Sequence, residues 1–332
     1  MKTQHSIVGT LVLAALLFTL PARAAVLPDW SGAWGEPQQT ERFSKTVPLS
    51  KTGSVLVSNI SGDIVVKGGS GDQVVIEAIK RGRTPEDIKQ IEIDVATLDG
   101  RVEIVTRHPR GIRNHNGSVD YSVTVPRGAA VRVKSVSGDI EVSTVDGALR
   151  AETISGNVDV AAATRLEDVQ SVSGNVTVKT AGSDGGVTAG STSGNVHLSD
   201  VKARTIDGDS VSGDVTLADV TCERLVAKSV SGNITFGGPL AKTGRYALQS
   251  HSGDVVVTVQ NDVGVEVSAS SFSGNISSDL ALVMRGGGQD DERHRHRQEV
   301  RGTYGDGSAT LELTSFSGNV RIIAKDTKPV KK

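Results

Sequence analysis

Three sets of residues in this chain carry side chains suited to chemistry. The first is Arg293-His294-Arg295-His296-Arg297, preceded by Asp290-Asp291-Glu292. Imidazoles beside carboxylates form a donor set for a divalent metal, and arginines alternating with them suit an anionic polymer. Only two imidazoles are close in sequence and no further ligand is fixed by spacing. The segment therefore reads as a solvated loop of mixed charge, with binding to an anionic surface ahead of metal capture. The second set is Asp139, Asp214 and Asp254, which recur at one place in a repeated pattern. Glycoside hydrolysis uses two acids about 5–9.5 Å apart. Here Asn157, Asn175, Asn195 and Asn233 stand at the same place in other copies, and an acid that alternates with an amide serves structure rather than proton transfer. The third is Cys222, the single cysteine, which excludes an intrachain disulfide. It matches Ala203 of the preceding copy and is expected to be small and buried, not an exposed nucleophile. No constellation converges, so neither an enzyme nor a cofactor or metal site is expected.

What positions these residues is a repeat. SxSG[DN] followed by apolar–polar–apolar first appears at Asn59-Ile60-Ser61-Gly62-Asp63-Ile64, with Asn in place of the leading Ser. Its glycine returns at Gly138, Gly156, Gly174, Gly194, Gly213, Gly232, Gly253, Gly274 and Gly318. From Gly138 to Gly274 the spacings are 18, 18, 20, 19, 19, 21 and 21 residues. A period near 20 residues is the mark of a solenoid in which each repeat is one coil. Val230, Gly232, Ile234 and Phe236 share one phase of a period-2 pattern, while Leu225, Ala227 and Ser229 form a run out of phase with it. Each coil therefore carries at least two short strands, with a corner expected between Ser229 and Val230. Glycine permits close approach of neighbouring backbones, and stacked Ser and Asn/Asp can form ladders of hydrogen bonds. Thr192 and His251 replace the apolar residue before Ser-Gly, and His251 is expected as a polar corner residue bonded to backbone. The fold class expected is all-β: a parallel β-solenoid with coils of about 18–21 residues and a mixed-strand N-terminal cap.

The remaining chain divides around that repeat. Residues 1–24 hold Lys2, an apolar run from Ile7 to Leu20 and Ala22-Arg23-Ala24, the pattern of a signal peptide cleaved before Ala25. The run is short for a membrane span and no other stretch approaches one. Residues 25–45, with Trp30 and Trp34, read as an extended arm. Residues 46–134 read as the first coil plus a cap of strands, with Thr84-Pro85-Glu86-Asp87 opening one short helix. Residues 135–324 are the repeats, interrupted by a charged loop insertion at 285–307, and 325–332 form a basic, disordered tail. The net charge of −2, or −4 once Lys2 and Arg23 are removed, argues against nucleic-acid binding.

Thr46-Val47-Pro48, Val55–Ile64, Tyr121–Pro126 and the train of SxSG[DN][VI] copies together resemble the bacterial “putative adhesin” family of β-strand-repeat domains, a domain of unknown function of the 4097 type. The resemblance spans roughly Glu41 to Ile323 and implies an exported β-solenoid, with no catalytic residues to carry over. The expected role is an exported, non-enzymatic interaction module of the cell envelope, periplasmic or at the surface. Its partner would be an envelope protein or an anionic polymer, with the oligomeric state left open. A polysaccharide-active β-helix enzyme and a self-assembling envelope scaffold are the alternatives. Aromatics at 3% leave few rings to stack on sugars.

Overall fold

The computed structural model describes residues 39–108, 117–260, 263–284 and 298–325. These residues are all-β, with 25 strands and one short helix. The signal-peptide segment, most of the arm, the cluster Arg293–Arg297 and the basic tail from 326 lie outside them.

One turn of the repeat shows how the sequence pattern becomes structure. Ala148–Ser155 alternates buried Leu149, Ala151 and Thr153 with outward Arg150 and Glu152. The chain bends at Gly156-Asn157, continues as Val158–Ala163 with Val158 and Val160 buried, and bends again into Arg165–Ser173. Strands of the first kind pair in parallel from layer to layer, Leu149 meeting Val131 on one side and Leu166 on the other. Those of the second kind do the same, Val158 lying between Ile140 and Val176. Two parallel ladders result, and like side chains fall in rows because the register repeats. Where one row narrows, its neighbour fills the space: Gly208 stands in the row of Ala189 and Ala227, and the side chains of Val215 and Leu217 reach toward it. Such exchange of volume keeps an interior close-packed.

The second bend of each turn has a device of its own. Thr144, Ala162, Thr180, Asp200 and Asp219, each six residues after a motif glycine, adopt φ of 58°, 53°, 52°, 51° and 51°. A left-handed residue at this point bends the chain at a local cost of about 1–2 kcal/mol, which the stacked layers on either side must offset.

The order of layers departs from the order of the chain. Ala309–Ser315 pairs in parallel with Arg245–Ser250 on one edge and with Val265–Ser271 on the other. Val320–Lys325 likewise sits between Val255–Gln260 and Ile276–Ser278. The last repeat is thus intercalated between two repeats made earlier, not added at the end of the stack.

Antiparallel strands finish both ends. At one, Ser54–Ser61 and Ile64–Gly69 are flanked by the parallel strands Arg101–Arg107 and Ser118–Pro126. Beyond these lie Glu92–Leu98, Gln73–Gly82 and Gln39–Pro48, all antiparallel. The outermost, Gln39–Pro48, exposes Glu41, Arg42 and Lys45, charges that discourage further strand addition. The helix Pro85–Lys89 is held here by a reciprocal cap between Thr84 and Asp87, and Ile88 anchors it. At the other end Gln298–Tyr304 lies antiparallel on Val265–Ser271 and pairs with Val283–Met284. Gln298–Tyr304 is therefore a strand inside the segment 285–307 that composition marked as a loop.

Candidate interaction surface

The first bend of each turn is where the repeat motif sits, and its side chains divide by direction. The leading residue points inward: Ser171, Ser191, Ser210, Ser229, Ser250, Ser271 and Ser315 are buried. Each donates its hydroxyl to the motif glycine carbonyl of the adjoining layer at 2.8–3.0 Å, as Ser171 does to Gly156 and Ser315 to Gly253. The Asn/Asp after the glycine accepts the next layer's backbone N–H. Asp139 receives Asn157 N at 2.7 Å, Asn157 receives Asn175 N at 3.0 Å, and the chain of bonds runs on to Asn275. Asp120, which lies outside the repeat, begins this column by accepting from Asp63 N at 3.1 Å. Oδ1 of each aspartate in the column holds a backbone amide, so an amide side chain serves equally well, and the alternation of Asp with Asn follows.

The motif glycines form a third column. A Cβ placed on any of Gly138, Gly156, Gly174, Gly194, Gly213, Gly232, Gly253, Gly318 or Gly274 would overlap the carbonyl of its neighbour in that column, which begins at Gly62. No side chain fits between layers about 4.8 Å apart at this point. The sequence of contacts also confirms that the Gly318 layer lies between those of Gly253 and Gly274.

The residue between the two serines points outward. This corrects the expected phase: Ser229 is 5% exposed and Val230 is 48% exposed, so the inward run Leu225–Ala227–Ser229 continues to the bend and Val230 stands outside it. Ile60, Val136, Ile154, Val172, Val211, Val230, Phe316 and Phe272 are all exposed in this way, with Thr192 and His251 at the two remaining positions. Ten layers at roughly 4.8 Å place these residues along a ridge of about 43 Å. A column of exposed serines runs beside it, from Ser137 to Ser273. At one end the rings stack: His251 on Phe316 and Phe316 on Phe272, each at 4.8 Å with planes 8° and 3° apart. His251, expected to bond backbone through its ring, is instead the first member of this aromatic stack.

At the opposite end the ladder starts with Asn59, beyond which the described residues offer no motif glycine carbonyl for a serine to meet. Its Nδ2 donates to the carbonyls of Val119, Ser61 and Gly62 at 2.7, 3.0 and 3.0 Å. Its Oδ1 accepts from Ile60 N and from the Thr106 hydroxyl, which shares a 2.7 Å bond with the Tyr121 hydroxyl. Burial, set against the Thr106 bond, pushes the Tyr121 phenol up to about 12. Ser135, whose acceptor by the pattern would be Gly62 O, finds that carbonyl serving Asn59 and its own hydroxyl is left without a partner.

Cys222 is buried, and burial pushes its thiol up to about 12. No group of three or more His, Cys, Asp or Glu among the described residues is placed to hold a metal ion. The outward face of the first ladder carries paired charges, Arg132 and Lys134 on Glu152 at 2.8 and 3.0 Å and Arg150 on Glu167 at 2.7 Å. No helix of the described residues is long and apolar enough to cross a membrane.

These features define an all-β repeat protein whose motif builds its own backbone contacts and leaves one apolar column outside. The chain belongs to the Toastrack DUF4097 family, whose model matches residues 61–323. Among solved structures it is similar to a “putative adhesin” from Bacteroides fragilis, with 13% identity, a TM-score of 0.44, and 85% of this chain and 97% of that one covered. A “putative adhesin” from Parabacteroides distasonis matches at 11% identity and a TM-score of 0.41, over 85% of this chain and 97% of that one. A “putative cell adhesion protein” from Clostridium sporogenes matches at 11% identity and a TM-score of 0.23, over 86% and 100%. No curated protein matches the chain.

Proposed function

We propose that this protein is an exported, non-enzymatic interaction module of the cell envelope, built as a parallel β-solenoid whose two ladders are successive faces of each coil. The observation that carries this reading is the ridge Ile60–Val136–Ile154–Val172–Thr192–Val211–Val230–His251–Phe316–Phe272. Contiguous exposed apolar surface is costly in a soluble protein and marks a docking surface. The backbone hydrogen bonds of the motif fix the spacing of the ridge, so binding requires little further ordering of its backbone. Export rests on the signal-peptide pattern of residues 1–24, and the exported chain would begin at Ala25. The cluster Arg293–Arg297 is a second contact for anionic envelope polymers in this reading.

The test is co-sedimentation of the purified chain with isolated envelope. A variant carrying Val172→Asp, Val211→Asp and Val230→Asp should keep its circular dichroism spectrum, because all three side chains are outside the packed rows. It should lose saturable binding at least tenfold, whereas Thr177→Asp on the second ladder should not. Equal binding by the ridge variant and the native chain would overturn the reading.

A further inference from the structure

The last coil fills a place that two earlier coils leave open. The chain builds Val265–Ser271 and Ile276–Ser278 two layers away from Arg245–Ser250 and Val255–Gln260. Until residues 309–325 arrive, the strands on both sides present unpaired backbone across a slot about 9.6 Å wide, twice the strand spacing. What the slot accepts is specified in detail. Ser315 donates to Gly253 O at 3.0 Å, and Asn319 bonds Asp254 Oδ1 through both its backbone N at 2.8 Å and its Nδ2 at 3.1 Å. On the other edge Ser271 donates to Gly318 O at 2.9 Å and Asn275 N to Asn319 Oδ1 at 3.0 Å. Phe316 enters between His251 and Phe272. All of these requirements are met by the sequence of residues 309–325, whichever copy of the chain supplies it.

The link to the preceding strand is short and local. Gln298–Tyr304 lies on the outer edge of Val265–Ser271, and Ala309–Ser315 lies on the inner edge of the same strand. The turn Gly305–Ser308 steps across that strand's first end at Gly264, where a Cβ would overlap Asp306. Gly305 and Gly307 take φ of 63° and 67°, and Ser308 and Ala309 return to Gly264 O. The coil is therefore inserted from one side through a glycine turn, with both of its edges satisfied by the slot rather than by that turn.

We infer that residues 309–325 are an exchangeable element: a second copy of this chain can seat its own last coil in the slot, joining two copies through a completed ladder. Opening the turn Gly305–Ser308 is the conformational change required, and the contacts recovered in the partner are the same as those given up. Two joined copies would present two ridges, which raises avidity for any extended partner. Exchange of residues 309–325 is independent of what the ridge binds.

Ser270 and Thr314 give the readout, because their hydroxyls face each other at 3.4 Å across the inner edge of the slot. Two full-length chains are made in a Cys222→Ala background, one with Ser270→Cys and one with Thr314→Cys. They are mixed in denaturant, refolded together at high concentration under reducing conditions, and then oxidised. Exchange predicts a covalent dimer linked between positions 270 and 314, identified by mass spectrometry, in excess of the two-to-one ratio over each of the two same-position links that random collision of equal amounts would give. A mixed link at or below that ratio overturns the inference. Both single variants must regain the native circular dichroism spectrum. Should Ser270→Cys fail to fold, Gln249→Cys offers the same test, because Gln249 is in register with Thr314 on the other edge.

Discussion

Gly174→Ala tests the glycine column at one atom. A Cβ on Gly174 would overlap the carbonyl oxygen of Gly156, stand 2.5 Å from its carbonyl carbon and 3.1 Å from Asn157 N. All of these are backbone atoms, so relief requires the two layers to part by about 1 Å, enough to forfeit much of the local packing energy. Four bonds cross this joint at the bend. They are Ser171 Oγ to Gly156 O at 2.8 Å, Asn175 N to Asn157 Oδ1 at 3.0 Å, Gly156 N to Ser173 O at 3.3 Å and Val158 N to Asn175 O at 2.9 Å. At about 1 kcal/mol each, their loss amounts to roughly 4 kcal/mol, near the top of the range for single substitutions. Gly185→Ala is the control within the same repeat, since nothing lies within 4 Å of a Cβ there. It should change stability by less than about 1 kcal/mol, in the stabilising direction through reduced freedom of the unfolded chain. Urea unfolding measures both, with the slope checked for constancy. Equal midpoints for the two variants would refute the claim that backbone proximity is what reserves the motif position for glycine.

Phe316→Ala removes two ring stacks at about 0.5–1.5 kcal/mol each, so it should destabilise clearly more than Val211→Ala in urea, a residue of the same column with no ring neighbour. Asp209 has its carboxyl raised by burial and by Asp207, against the opposing pull of Lys228. A raised folded-state value means that Asp209 favours folding below the ordinary carboxylate range and loses that contribution as pH rises. Asp209→Asn should accordingly raise the melting temperature at pH 7 and leave it unchanged at pH 3, and a lower melting temperature at pH 7 would contradict this. Cys222, with its thiol pushed up to about 12 and its side chain buried, should resist iodoacetamide at pH 8 until the chain unfolds, as intact-mass measurement would show.

Much of this architecture is legible in the sequence because the repeat writes the same physical requirement in each layer. Glycine, inward serine and the exchangeable Asn/Asp all answer to backbone atoms of the adjoining layer, so type and spacing alone reveal them. The ridge was hidden by a plausible but wrong phase. Val230 shares the alternation of Ile234 and Phe236, and only the continuation of Leu225–Ala227 into Ser229 marks a hydroxyl as the inward group. A serine holds that place because its acceptor is a glycine carbonyl inside the bend, which hydropathy does not encode. The left-handed residues Thr144, Ala162 and Thr180 were invisible for a related reason, since Thr and Ala carry no preference for that conformation. The acid Asp120 joins the amide column from a strand outside the repeat, a meeting that only the pairing of Ser118–Pro126 with Ile64–Gly69 creates.

The intercalation of the last coil follows from the same uniformity that makes the repeat legible. If every layer offers its neighbour the same glycine carbonyl, serine hydroxyl and amide, the motif does not say which layer a coil must join. Order is then decided by what distinguishes the layers, and here that is the strand which finishes the stack. The rings do not decide it: Phe316 stacks on both His251 and Phe272, and an order of layers that followed the sequence would give Phe272 the same two kinds of ring contact. The antiparallel strand Gln298–Tyr304 does distinguish the two orders. It needs an outer edge, and Val265–Ser271 supplies one only if residues 309–315 take its inner edge. A finishing strand thus specifies a position that the repeat itself leaves degenerate.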